Sequence, residues 1–134
     1  MIHKIIDIEN LYIPSINQKY GVGRNRKLFL TEEYKNFKKV IMYYCKKIKL
    51  TPPYRIIIGI KTYNDIDNSL KVIIDGIRKS LSDDRDVLQL HVYKIRKKRG
   101  QLNSLIVFVE EIKEDEPLPE ILKGWNNVQD KKEI

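Results

Sequence analysis

Asp65-Ile66-Asp67-Asn68 opens a window that runs through Lys71 and Asp75 to Asp83-Asp84 and Asp86, and it holds six of the ten carboxylates in residues 1–109. Acids crowded together repel one another unless a cation holds them, and the common holder is a divalent metal. The window has no neighbouring Cys or His. An all-oxygen set favours Mg2+, with Mn2+ as a substitute, over Zn2+. Asp65 and Asp67 fall at an expected strand-to-helix junction, where extended backbone would point both side chains the same way. Asp67, Lys71 and Asp75 follow at four-residue spacing, on one face of a helix. A lysine beside the metal would orient a scissile phosphate or stabilise charge building on its oxygens. Such a group suits phosphodiester hydrolysis, with metal-activated water as nucleophile.

Plainer uses of the same residues compete with this one. Asp65 or Asp67 serves as a helix N-cap, Asp67–Lys71 and Lys71–Asp75 as surface ion pairs, and Asp83-Asp84 as a polar turn. Each is ordinary alone; their coincidence in one window of a basic chain is not.

The chain has 134 residues, enough for one domain with a real core. Its net charge of +8 is unevenly spread. Residues 1–109 carry 22 Lys and Arg against 10 Asp and Glu, while residues 110–134 carry 4 against 8. A basic body with an acidic tail points to a polyanion partner, with the tail screening the basic surface or engaging a partner through Trp125. The single cysteine, Cys45, excludes a disulfide framework and reads as a small buried hydrophobe. No apolar run approaches the roughly 18–20 residues of a membrane span, and Met1-Ile2-His3-Lys4 lacks a signal peptide's apolar region. The expectation is a soluble cytoplasmic protein with no membrane partner and no small-molecule cofactor.

Several elements must position these residues. Ile5, Ile6 and Ile8 open a strand, and Gly21 to Lys27 reads as a mobile basic loop. Thr31 before Glu32-Glu33 starts a helix whose stripe is Tyr34, Phe37, Ile41, Tyr44 and Ile48, running to about Lys49 before Pro52-Pro53. Arg55 to Tyr63 reads as a strand. A second helix follows, with Ile66, Leu70, Ile73, Ile74, Ile77 and Leu81 as its apolar stripe. Val87 to Arg96 and Leu105 to Ile112 read as strands joined as a hairpin through Lys97-Lys98-Arg99-Gly100. The expected fold is α/β (α+β): one domain with a small mixed β-sheet and two main helices. Residues 1–113 form that domain, and 114–134 an acidic, flexible tail.

Asp65-Ile-Asp67-Asn68-Ser-Leu-Lys71-Val-Ile-Ile-Asp75, then Asp83-Asp84-Arg-Asp-Val87 and Lys94, resembles the RusA family of Holliday junction resolvases. The likeness covers about residues 5–112, including Pro14-Ser15-Ile16-Asn17 and the basic stretch after it. It departs in a shorter run between Asp75 and Asp83-Asp84, in Ser69 and Asp86, and in Asn64, where some members have a basic residue. The resemblance implies a homodimer that binds four-way DNA junctions in recombination and repair and nicks two opposed strands symmetrically with Mg2+ or Mn2+. The family is common in phages and prophages, which implies a bacterial or phage-infected host.

By the same resemblance Asp65, Asp67 and Asp84 are the metal-binding catalytic acids, joined at the metal by Asp83. Lys71 is the active-site lysine, and Asp75 is an acid of unassigned role. DNA contacts are expected from Asn17, Arg24, Arg26 and Lys27, and from Lys94, Arg96, Lys97, Lys98 and Arg99, mostly with phosphates. His3 and His91 read as structural. Two alternatives share these residues: a non-catalytic module for branched or single-stranded nucleic acid, and a nuclease acting on flaps or forks.

Overall fold

A computed structural model describes residues 2–14, 20–22, 28–45, 49–78, 81 and 84–125. The chain runs β1 (Ile2–Leu11), β2 (Tyr20–Val22), β3 (Leu28–Leu30), α1 (Glu32–Cys45), β4 (Tyr54–Thr62), α2 (Ile66–Arg78), a 3-10 turn (Asp84–Asp86), β5 (Val87–Arg96) and β6 (Asn103–Glu111). A second 3-10 turn, Glu120–Leu122, lies in the C-terminal segment. Strands β2 and β3 pair as a separate antiparallel ribbon. Gly21 and Val22, expected in a loop, therefore belong to a strand.

The main sheet is mixed, in the order β1-β6-β4-β5, and with two helices it makes a small α+β domain. β4 pairs parallel with β5 and antiparallel with β6, and β6 pairs antiparallel with β1. The expected β5–β6 hairpin is therefore wrong: the two strands follow one another but flank β4. Composition explains why. β6 presents Leu105, Val107 and Val109 on one face and Ile106 and Phe108 on the other, so it suits an interior position. β5 carries Gln89, Lys94 and Arg96, which an edge tolerates.

One sheet face carries both helices. Ile56, Ile58 and Ile60 of β4 alternate inward with Leu105, Val107 and Val109, and pack with Tyr34, Phe37 and Ile41 of α1 and Val72, Ile73 and Ile77 of α2. Burying each such side chain stabilises the fold by about 1.5–3 kcal/mol. Thr31 starts α1 as expected: its hydroxyl accepts the Tyr34 N–H at 3.4 Å. The inner face of α2 is less bulky than its apolar stripe suggests, because Ser69 and Gly76 are also buried. A Cβ on Gly76 would lie 2.8 Å from Ile41 Cγ2, so the glycine lets the two helices approach closely. Cys45 is buried at the end of α1, as a small hydrophobe should be.

Among the described residues no helix is long and apolar enough to cross a membrane.

Candidate active site

Strand β4 ends at Thr62, whose buried hydroxyl accepts the Asn64 N–H at 3.1 Å. That bond shapes the turn into α2. Asp65 immediately precedes the helix, and its carbonyl accepts the Ser69 N–H at 3.4 Å. Asp67 lies in the first helical turn, where a carboxylate suits the positive end of the helix dipole. The backbone between them is therefore not extended, and the same-side argument for Asp65 and Asp67 does not hold. Both are exposed. Lys71 is exposed one turn further along α2.

Because β5 runs parallel to β4, its C-terminal end arrives at the same edge, with Lys94 opposite Ile60 and Arg96 opposite Thr62. The Lys94 ammonium donates to the Asn64 carbonyl at 2.6 Å. An open cleft results, lined by Tyr63, Asn64, Asp65, Asn68, Lys94 and Arg96. The crevice beyond the carboxyl ends of parallel strands is a favoured ligand position in α/β sheets. Tyr63 and Asn68 had not been singled out as cleft residues. Tyr63 could have been: it is an aromatic two residues before Asp65, half exposed at 51 %.

The remaining acids lie elsewhere. Asp75 accepts a hydrogen bond from the buried Tyr34 hydroxyl at 3.3 Å, which ties α2 to α1. Asp84 begins the 3-10 turn before β5, and Val87 pairs with Tyr54 at the start of β4. Asp65 and the Asp84 backbone thus stand at opposite ends of a nine-residue strand, roughly 27 Å long at the usual rise. Asp83, Asn17, Arg24, Arg26 and Lys27 lie outside the described residues. Among the described residues, no three His, Cys, Asp or Glu side chains gather into a metal-binding group.

The residues at the α2 N-terminus nevertheless fit Mg2+. This ion takes one or two carboxylates and completes its octahedron with water and substrate phosphate. Asp65 and Asp67 are both exposed carboxylates, and the Asn68 amide lines the cleft together with Asp65.

The expected DNA-binding cations divide into two kinds. Lys98 and Arg99 are exposed in the turn between β5 and β6, where Gly100 takes a positive φ of 84°. Lys97 closes that turn, its ammonium donating to the Leu102 carbonyl at 2.8 Å. At the other end of the sheet Arg55 is held by acids: it donates to Gln89 at 2.8 Å, to Glu116 at 2.6 Å and to Glu110. Burial opposes its charge, but the hydrogen bonds it donates to Glu110 and Glu116, with the attraction of both carboxylates, outweigh it and raise the guanidinium pKa. The Glu116 bond also pins the acidic C-terminal segment near the start of β5, away from Lys94 and Arg96. Trp125 is 60 % exposed in this segment. His3 and His91 are both half-buried on strands of the sheet.

No family model matches this chain, and no curated protein matches it.

Proposed function

We propose that this protein is a metal-dependent endonuclease for branched DNA, resolving four-way junctions in the manner of the RusA family it resembles. The observation that carries this reading is the cleft itself. Asp65, just before α2, lines the cleft with Lys94 and Arg96 at the end of β5, and Asp67 is exposed in the first turn of α2, so an acid and two cations share one accessible edge. Asp65 and Asp67 would hold Mg2+ or Mn2+, which when bound lowers the pKa of attacking water and neutralises phosphate charge. Arg96 grips a phosphate oxygen near the scissile bond. Lys94 holds the Asn64 turn and so fixes where Asp65 points. Lys71, one turn along, meets negative charge building on the phosphate. Lys98 and Arg99 add sequence-independent backbone affinity.

Two-fold symmetry supports a homodimer: two opposed nicks call for two sites related by an axis. The resemblance makes Asp84 a metal ligand, and its separation from Asp65 then calls for a second copy. In one chain these acids cannot meet, whereas a second copy, reversed in direction, would bring its Asp84 to the Asp65 end.

A second reading is a non-catalytic binding module for branched or single-stranded nucleic acid, favoured by the lack of a three-acid group among the described residues. Cleavage of a labelled synthetic four-way junction with Mg2+, against linear duplex, decides between them. Paired symmetric nicks that Asp67→Asn abolishes while binding survives support the resolvase. Binding without cleavage in Mg2+ and Mn2+ supports the module, and cuts confined to flaps or forks support a nuclease of other branches.

A further inference from the structure

The two edges of the main sheet are built differently. β1 defends its edge: its register breaks between Lys4 and Ile6 and again between Ile8 and Leu11, Asn10 takes a positive φ of 57°, and Lys4, Asp7 and Glu9 are exposed along it. Bulges and charges of this kind keep an edge from pairing with another chain. β5 has no such defence over most of its length. It runs ten residues, and its only register shift against β4 lies at the very start, between Tyr54 and Arg55. Leu88, Leu90, Tyr93 and Ile95 are 46, 42, 63 and 60 % exposed. A long, regular, apolar edge is a template for another strand.

Charge selects the occupant. At its end β5 carries Lys94 and Arg96, followed by Lys98 and Arg99. At its start lie Asp84 and Asp86, with Glu114, Asp115 and Glu120 of the C-terminal segment beside Leu88 and Gln89. Arg85, Lys113 and Lys123 offset part of this acidity without reversing it. A strand with one basic and one acidic end is complementary to its own reversed copy. We infer that β5 pairs antiparallel with β5 of a second copy, about a two-fold axis near His91 and Val92, making one continuous eight-stranded sheet. This deepens the dimeric reading above, because the pairing sets the acidic start of one β5 against the basic cleft of the other. The edge argument itself needs neither metal nor DNA.

The ladder says which groups are used. Lys97 donates its N–H to the Thr62 carbonyl, so odd-numbered residues of β5 face β4. The N–H groups of Leu90, Val92 and Lys94 then point outward. The test is sedimentation equilibrium with residue-level amide exchange on the full chain, without metal or DNA. The expected result is a dimer that weakens with salt, in which these three amides gain protection as protein concentration rises. Leu90→Pro removes one outward donor from each copy and should weaken association by about tenfold or more. Tyr93→Lys, which keeps the backbone, should weaken it too if the proline variant fails to fold. A mass that stays monomeric at all concentrations overturns the proposal, and so does a dimer whose Leu90, Val92 and Lys94 amides stay unprotected. A β5 dimer that cuts no junction overturns the nuclease reading and leaves this one standing.

Discussion

Lys94 reaches across the end of the sheet and donates its ammonium to the Asn64 carbonyl at 2.6 Å. The contact joins β5 to the turn that carries Asp65, one residue before α2. A side chain expected to grip phosphate therefore also holds the acid motif in place. Lys94→Met should cut single-turnover junction cleavage by about tenfold or more while lowering binding less, since misplacement of a reacting group costs rate before affinity. Lys94→Arg, which can still donate to the carbonyl, should recover part of the rate. Equal losses in binding and rate would make Lys94 a phosphate contact only.

Lys98 and Arg99 project from the β5–β6 turn, whereas Lys97 is committed to the Leu102 carbonyl. Replacing Lys98 or Arg99 by Ala should lower the slope of log affinity against log salt by about 1 each, with no change in fold. Lys97→Ala should instead loosen the turn. Binding titrations at several salt concentrations, with amide exchange over residues 97–102, separate the two effects.

Ser69 is fully buried in α2, and its hydroxyl has no hydrogen-bond partner among the described residues. Ser69→Ala removes an unsatisfied polar group and improves helix propensity. It should stabilise the protein by about 1 kcal/mol. Denaturant unfolding measures this directly, and a loss of stability would show that the hydroxyl is satisfied after all.

Gly76→Ala should go the other way. Its methyl group would meet Ile41 Cγ2 at 2.8 Å and Ile41 Cβ at 2.9 Å. Overpacking of about 1–3 kcal/mol competes with a helix-propensity gain of about 1 kcal/mol, and the clash should win. A midpoint of unfolding at or above wild type would mean that α1 and α2 can separate without cost.

Arg55 is 21 % exposed and joins β4 to Glu110 and Glu116. Arg55→Met leaves both carboxylates half-buried without their partner, and should cost about 1–2 kcal/mol. Amide exchange should rise across residues 112–118, where the segment loses its anchor. Unchanged exchange there would show that the Ile112 N–H to Pro53 carbonyl bond suffices by itself.

Much of the fold was legible because periodicity is local. β5 spans the residues that its composition indicated, and α1 and α2 form where three-four spacing places them. Lys49, however, is not helical, Ile48 lies outside the described residues, and α2 ends at Arg78, before Leu81. Partner choice among strands is not local. The charged turn at Lys97 to Gly100 looked like a hairpin, yet what decides is that β6 is apolar on both faces and belongs inside the sheet. For the same reason the contact of Lys94 with Asn64 could not be read in advance, since it depends on the parallel register of β4 and β5. Ser69 and Gly76 on the inner face of α2 reflect how near α1 lies, which no spacing within α2 reveals.

The last strand of the domain, β6, sits between the first strand and β4. During synthesis β1 therefore has no sheet partner until β6 (residues 103–111) has emerged, although it precedes every other strand of this sheet. A ribosome paused near the β5–β6 turn would carry a chain whose β1 and β4 both lack the strand they share. Such a chain is exposed to aggregation, and translation rate across residues 100–111 should govern how much of the protein is recovered folded.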